Sequence, residues 1–204
     1  MPFPRKLFAV IPAAGLSRRM GRPKLLLPLG GQTVIRRLLD ALDRPEIVAR
    51  VVVLRRDDDA LAAEVRSAGA TVVAPHSPPP DMRSSVQHAL DAIRTSHLPT
   101  ADDGWLLIPA DHPLLAADVL TQLIEAWNAS DAPILLPCCD GRRGHPTFFR
   151  WSLADKVATI PRDRGLNELV GWHANDIGEI LIDDRSVLYD LDTPEDYEAM
   201  QARF

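Results

Sequence analysis

LFAVIPAAGLSRRMGRPK, residues 7–24, is the stretch of sequence that decides the fold. It opens with the apolar run Leu7–Pro12 and passes directly into a loop of small and basic residues. A short apolar run that ends in a glycine-containing loop predicts a strand buried on both faces of a parallel sheet. Ligands of such sheets bind beyond the carboxyl ends of the strands. The stretch therefore predicts a ligand site directly after the first strand.

Apolar runs and helical periodicity alternate along much of the remaining chain. Strands are predicted over Val48–Leu54, Ala70–Ala74, Trp105–Ala110 and Ile134–Pro137, and helices over Thr33–Leu42, Asp57–Ser67, Ser84–Thr95 and Asp118–Asn128. This alternation indicates parallel strands joined by right-handed crossovers. The fold class expected is α/β, a Rossmann-like three-layer sandwich with a mostly parallel central sheet. We expect a single domain over residues 1–204, in which roughly residues 138–178 form a less regular lobe over the site.

Composition excludes several classes of protein. The 204 residues are 46% hydrophobic, enough for one substantial core. No stretch approaches the roughly 18–20 apolar residues of a membrane span, and Met1–Lys6 does not resemble a secretory signal, so we expect a cytoplasmic protein with no membrane partner. The two cysteines, Cys138 and Cys139, are adjacent and predict no disulfide framework. A net charge of −5 argues against nucleic acid as a partner.

Basic residues gather near the start of the chain and acidic residues near its end. Residues 1–39 contain eight lysines and arginines and no acid, whereas residues 176–198 contain nine acids and one arginine. Brought together, the basic start would hold an anion and the acidic end a cation. The alternative is that both are solvated surface charge.

The loop after the first strand has the residue types that a polyphosphate needs. The small residues Ala13, Ala14 and Gly15 let backbone N–H groups approach an anion, and Ser17 adds a hydroxyl donor. Arg19 and Lys24 add positive charge, which favours a nucleoside triphosphate as the ligand. The glycine spacing matches neither the P-loop nor the dinucleotide-binding fingerprint. The alternative is a basic surface loop.

Carboxylates are predicted at the ends of two other strands. Asp111 follows the strand Trp105–Ala110, and Asp190 and Asp192 are expected at a strand end just before a helix that begins at Thr193-Pro194. Magnesium prefers hard oxygen ligands, a few from protein and the rest from phosphate and water, and manganese can replace it. We therefore predict a metal site at Asp111 and Asp192, with Asp190 ranked second. The alternatives are that Asp111 caps a turn and that Asp192 or Thr193 caps the helix.

The pattern Ala-Ala-Gly-x-Ser-x-Arg-Met-Gly-x-x-Lys, residues 13–24, resembles the signature of the MobA-like NTP transferases, although Pro12 stands where that family usually has leucine. The resemblance implies a sheet of the nucleotide-diphospho-sugar transferase type. It also implies that residues 13–15 wrap the nucleotide, that Arg19 and Lys24 contact its phosphates, and that both act in catalysis together with Asp111.

Two further segments extend the resemblance. Residues 81–86 resemble a Gly-Met-x-Ser-Ser-Leu segment near the base and ribose, with Asp81 in place of glycine. This implies that Ser84 and Ser85 bind the nucleotide, although a helix N-cap serine explains the pattern equally well. Residues 141–146 resemble the Gly-x-x-Gly-His-Pro segment of the cytidylyltransferase branch, which implies that Arg143 and His145 bind the acceptor on the side of the 138–178 lobe. The alternative is a glycine turn with solvated arginines.

The resemblance implies transfer of CMP from CTP to the terminal phosphate of molybdopterin, with Mg²⁺ and release of pyrophosphate. An apo-molybdoenzyme or its chaperone would then be a partner. Three alternatives stay open: a guanylyltransferase of the MobA type, a nucleotidyltransferase for another small-molecule phosphate, and a non-catalytic protein that binds and delivers the molybdenum cofactor.

Overall fold

The computed structural model describes residues 5–204 and is built around one eight-stranded sheet. The strands, in chain order, are β1 (Leu7–Pro12), β2 (Pro28–Leu29), β3 (Gln32–Thr33), β4 (Ile47–Val53), β5 (Thr71–Val73), β6 (Gly104–Leu107), β7 (Ile134–Cys139), β8 (Arg142–Arg143), β9 (Thr147–Arg150) and β10 (Ile177–Leu181). The helices are α1 (Val34–Ala41), α2 (Asp59–Ser67), α3 (Met82–His97), α4 (Ala117–Ala129), α5 (Lys156–Thr159), α6 (Asn167–Trp172) and α7 (Pro194–Gln201), and short 3₁₀ turns cover Lys24–Leu26, Trp151–Leu153 and Arg185–Leu188.

The order of strands confirms a mostly parallel sheet. It runs β5, β4, β1, β6, β9, β7, β10, with β8 paired to β7, while β2 and β3 form a separate hairpin. β9 is antiparallel to both β6 and β7, and β8 is antiparallel to β7. The remaining neighbours in the main sheet are parallel. The carboxyl ends of β1, β4 and β6 therefore meet at one edge.

Helices cover both faces of the sheet, which confirms the three-layer prediction. Leu7, Ala9 and Ile11 of β1 pack in one core with residues of α1, α2, α4 and α7. Phe8 and Val10 point the other way, into a second core with residues of α3, α5 and α6. Successive side chains of a strand face opposite sides, so an all-apolar β1 is buried on both faces.

Two predictions need correction. Residues 138–178 do not simply form a lobe over the site, because β9 lies between β6 and β7 and its Phe148 and Phe149 are buried in the two cores. Asp190 and Asp192 do not end a strand. They follow the 3₁₀ turn Arg185–Leu188, and the buried Leu191 anchors them by donating its N–H to the Asp111 carbonyl at 2.9 Å.

Within residues 5–204, no helix combines the length and the apolar character that crossing a membrane requires.

Candidate active site

A cleft of about 500 Å³ opens at the carboxyl ends of β1 and β6. Its lining comprises residues 12–19, Lys24 and Leu25, residues 79–82, Ser85, residues 109–111 and Asp192. The cleft thus brings together the predicted residues Ala13, Ala14, Gly15, Ser17, Arg19, Lys24, Ser85, Asp111 and Asp192. Four chain segments far apart in sequence meet here. Three of them follow the parallel strands β1, β5 and β6, which direct their following loops to the same edge, and the fourth contains Asp192.

The loop after β1 is held in place by its own backbone. Ala13 extends the strand pairing by donating its N–H to the Val53 carbonyl at 2.8 Å. The chain then turns back, with Ser17 at φ 50° and Gly21 at φ 68°, and the Gly21 N–H donates to the Ser17 carbonyl at 3.1 Å. Glycine reaches this left-handed region at no steric cost. Met20, which is buried, fixes the loop to the core.

Lys24 joins the basic loop to the acidic edge of the sheet. Its Nζ lies 2.6 Å from Asp111 Oδ2, 2.6 Å from the Leu191 carbonyl oxygen and 3.1 Å from Asp192 Oδ1. An ammonium group has three hydrogens, so these contacts use all of its donors. The Lys24 side chain is only 14% exposed, so this cluster is partly desolvated.

Arg19 approaches the same cluster from the solvent side. Its Nη2 lies 2.8 Å from Asp192 Oδ2, and its side chain is 70% exposed. Asp192 is therefore shared by two cations. Because an exposed ion pair contributes little to stability, Arg19 can leave Asp192 for a stronger anion at small cost.

The helix after Asp192 is capped by other residues. Thr193 accepts the Asp196 N–H at 3.2 Å, and Asp196 Oδ2 in turn accepts the N–H groups of Thr193 at 2.7 Å and Asp192 at 3.1 Å. This is a capping box at the start of α7. The Asp192 carboxylate is thus not the cap of α7, which was the alternative role, and it contacts cations instead.

Negative charge accumulates at this edge. Burial, together with the charges of Asp192 and Asp111, raises the pKa of Asp190. Asp190 is not part of the cleft lining, and its lower rank as a metal ligand stays a prediction.

Two histidines lie behind the carboxylates. The rings of His112 and His145 are 5.0 Å apart, edge to face, and His112 Nε2 is 4.0 Å from Asp111 Oδ1. Burial lowers the pKa of His112, and burial together with His112 lowers the pKa of His145 to about 4. Both rings are therefore neutral near pH 7. His112 is not predicted from the sequence as a site residue, although its position next to Asp111 is a usable signal.

Three predicted site residues do not line the cleft: Ser84, Arg143 and His145. The Ser84 N–H donates to Asp81 Oδ1 at 2.7 Å, so Asp81 is the N-cap and α3 begins two residues earlier than predicted. Ser85 does line the cleft, and its hydroxyl donates to the Asp81 carbonyl at 3.3 Å. Arg143 on β8 is paired with Glu179 at 2.7 Å.

The carboxylates of Asp111 and Asp192 could hold a divalent cation only together with further ligands such as phosphate and water oxygens. Among residues 5–204, no three His, Cys, Asp or Glu side chains are grouped to hold a metal ion. Asp111 and Asp192 do lie close enough to share one cation, the Lys24 ammonium. Magnesium is commonly held by one or two carboxylates, with phosphate and water oxygens as its remaining ligands. The two aspartates fit that pattern.

A loop of small and basic residues after the first strand, in direct contact with two carboxylates, is the arrangement expected of a nucleotidyltransferase. The chain belongs to the family described as the MobA-like NTP transferase domain, whose model matches residues 9–177.

Similar proteins support this class. A 2-C-methyl-D-erythritol 4-phosphate cytidylyltransferase of Neisseria meningitidis serogroup A is 31% identical over 159 residues, 73% of this chain and 69% of that protein. The molybdenum cofactor cytidylyltransferase of Escherichia coli is 24% identical over 202 residues, 96% of this chain and 95% of that protein.

Solved structures share the fold. Rv0371c of Mycobacterium tuberculosis superposes with a TM-score of 0.80 at 27% identity, over 97% of this chain and 98% of that one. A second structure of Rv0371c, described as a complex with manganese, superposes with a TM-score of 0.76 at 24% identity, over 98% of this chain and all of that one. The family and the fold together identify the chain as a nucleotidyltransferase enzyme.

Proposed function

We propose that this enzyme transfers CMP from CTP to the terminal phosphate of molybdopterin and releases pyrophosphate. The observation that carries the proposal is the line of charges Arg19, Asp192, Lys24 and Asp111 along one wall of the cleft. It combines cations for a triphosphate with carboxylates for a divalent cation. The relatives named cytidylyltransferases support CTP as the nucleotide.

The residues of the loop act by binding and positioning. The backbone N–H groups of Ala13, Ala14 and Gly15 and the Ser17 hydroxyl bind the phosphates, while Arg19 and Lys24 offset the charge that builds on the departing pyrophosphate. A divalent cation, Mg²⁺ or Mn²⁺, held by Asp111 and Asp192, would further neutralise the phosphate oxygens when bound. Manganese is what the second Rv0371c structure is described as holding.

No general base is required. A phosphate monoester is largely ionised near neutral pH, so an oxygen of the acceptor attacks the α-phosphorus directly, the bond between the α-phosphorus and the bridging oxygen breaks, and the electron pair leaves with pyrophosphate. Catalysis then rests on alignment and charge stabilisation. His112 and His145 are neutral near pH 7 and shape the wall behind Asp111.

The acceptor would enter from the side of β8 and the start of β9. Arg143 and His145 are the residues proposed to hold its phosphate, with Arg143 exchanging Glu179 for the ligand. Molybdopterin is favoured as acceptor by the Gly-His-Pro segment at residues 144–146 and by the end-to-end match to the E. coli molybdenum cofactor enzyme.

A second candidate acceptor is 2-C-methyl-D-erythritol 4-phosphate. It is favoured by the higher identity, 31%, of the Neisseria enzyme that carries its name. Both acceptors present a phosphate monoester, and the charged wall of the cleft serves either.

A pyrophosphate-release assay separates these activities. The enzyme is incubated with CTP, GTP, ATP or UTP, each with molybdopterin, with 2-C-methyl-D-erythritol 4-phosphate or with no acceptor, in Mg²⁺ or Mn²⁺. We expect release only with CTP and molybdopterin. Release with GTP would indicate the MobA-type reaction, and release only with the erythritol phosphate would replace the proposed acceptor. No release from any pair would contradict nucleotidyl transfer to both acceptors.

A further inference from the structure

Lys24 already occupies the place between the two carboxylates. Its Nζ is 2.6 Å from Asp111 Oδ2 and 3.1 Å from Asp192 Oδ1, and its third hydrogen is taken by the Leu191 carbonyl at 2.6 Å. A divalent cation held by the same carboxylates would need the oxygens that the ammonium now contacts. The ammonium and such an ion cannot share this position, because their volumes overlap and their charges repel.

Lys24 and Arg19 hold Asp192 in different ways. Lys24 is nearly buried and has every donor engaged, whereas Arg19 makes a single exposed contact with Asp192. Arg19 can therefore bind an incoming triphosphate after breaking one exposed contact. Lys24 can bind the triphosphate only if its ammonium group first leaves the carboxylate cluster.

The loop offers Lys24 a second location. The Lys24 N–H is held by Ser17 Oγ at 3.4 Å, so the base of its side chain stands beside the proposed phosphate-binding residues 13–17. Rotation of the side chain alone would move the ammonium towards the triphosphate. That movement would leave the carboxylates to the divalent cation.

We propose that Lys24 is a built-in substitute for the divalent cation. It neutralises Asp111 and Asp192 in the protein by itself and yields them only when a triphosphate gives it new partners. This inference rests on the metal position of the proposed function. The consequence is that the divalent cation binds weakly to the protein alone, and that it binds more tightly once a nucleotide has drawn Lys24 away from the carboxylates.

Mn²⁺ binding to the full-length protein, measured by electron paramagnetic resonance without nucleotide, tests the substitution. Lys24→Met removes the ammonium and keeps the length of the side chain. We expect Lys24→Met to bind Mn²⁺ at least about tenfold more tightly than the wild type, because two facing carboxylates lose their counter-ion. Adding Asp192→Asn to Lys24→Met should abolish that gain. Lys156→Met is the matched control. It replaces an exposed lysine of α5 and should leave Mn²⁺ affinity unchanged.

Thermal unfolding gives an independent readout. Mn²⁺ alone should raise the melting temperature of Lys24→Met and leave that of the wild type almost unchanged. Should Lys24→Met fail to fold, Lys24→Gln keeps hydrogen-bond donors without the charge and is measured in the same way. Equal or weaker Mn²⁺ binding by the neutral variant would overturn the inference.

A further arm separates this inference from the proposed function. Wild-type protein with CTP should retain Mn²⁺, and Asp192→Asn with CTP should not. If CTP brings no protein-bound Mn²⁺, the proposed metal position itself is wrong. If CTP does so but Lys24→Met shows no gain without nucleotide, only the role of Lys24 as a substitute is wrong.

Discussion

The proposed nucleotide half and the proposed acceptor half of the sheet edge are built by different means. On the nucleotide side, charged groups lie in an open cleft and contact one another, as Lys24 does with Asp111 and Asp192. On the acceptor side, His112 and His145 are buried against each other and neutral, and Arg143 is tied to Glu179 outside the cleft. The first half is organised by charge and the second by packing. Substitutions should therefore damage turnover or nucleotide binding in the first half and acceptor binding or stability in the second.

The largest effect is expected from the centre of the charge cluster. Asp111→Asn and Lys24→Met should each lower turnover by about 10³-fold, the scale seen when one preorganised charge-stabilising group is removed. Pyrophosphate release under saturating nucleotide measures this, with circular dichroism to show that the variants are folded. Turnover within a factor of about ten of the wild type would refute the assignment.

A smaller effect is expected at the outer cation. Arg19→Met should raise the KM for the nucleotide about 10- to 100-fold and lower turnover less than Lys24→Met does, because the exposed Arg19 binds a phosphate in the bound nucleotide as well as in the departing pyrophosphate. Arg18→Met is the matched control, since Arg18 also lines the cleft but makes no ion pair within residues 5–204. The KM should change only a few-fold there. Equal effects at both positions would mean that general positive charge, and not Arg19 itself, binds the phosphates.

The acceptor half should instead show itself in acid stability. The pKa of His145 is lowered to about 4 by burial and by His112. Below about pH 6.5 this histidine is protonated in the unfolded chain but stays neutral in the folded protein. The free energy of unfolding therefore falls as the pH drops from about 6.5 towards 4. Between about pH 7.5 and about pH 5, the His145 ring alone should lower the free energy of unfolding by about 2 kcal/mol.

Urea unfolding at these two pH values measures the loss. His145→Asn cannot take up this proton, so its free energy of unfolding should fall by about 2 kcal/mol less than that of the wild type over the same interval. His173→Asn, at the C-terminal end of α6, is the control and should keep the wild-type pH dependence. Identical pH dependence in wild type and His145→Asn would contradict the neutral, buried state of this ring.

The smallest effect distinguishes two adjacent serines. Ser85→Ala removes a buried hydroxyl that lines the cleft and should raise the KM for the nucleotide a few-fold. Ser84→Ala should change it by less than about twofold, because Ser84 contributes its backbone N–H to the cap and does not line the cleft. The same assay at low CTP resolves the two. The reverse order would show that the side chain of Ser84 reaches the nucleotide.

The parts of the fold that the sequence predicted are those encoded locally. The bounds of β1 agree with the predicted run Leu7–Pro12, and the predicted phosphate-loop residues do line the cleft. In both cases, neighbouring residue types suffice to determine the structure. α3 begins at Met82, two residues before the predicted start at Ser84. Asp81, which departs from the motif, is the N-cap of this helix.

Other features depend on contacts between distant residues. Asp192 reaches Asp111 because Leu191 bonds to the Asp111 carbonyl, a pairing that no local periodicity encodes. His112 and His145 meet only after β9 is inserted beside β6. The residue types of the site were thus visible in the sequence, whereas its depth, its neutral histidines and the position of Lys24 needed the structure.

The insertion of β9 has a consequence for how such an enzyme can diverge. Because β9 runs against its neighbours, its amino end, preceded by His145 and Pro146, lies at the same edge as the carboxyl ends of β6 and β7. The connection from β7 to β9 is therefore a hairpin on the side proposed for the acceptor. Surface hairpins tolerate insertions far better than the strands that carry them. If the acceptor binds where we propose, its identity can change through this one connection, while the charge cluster proposed to bind the nucleotide stays as it is.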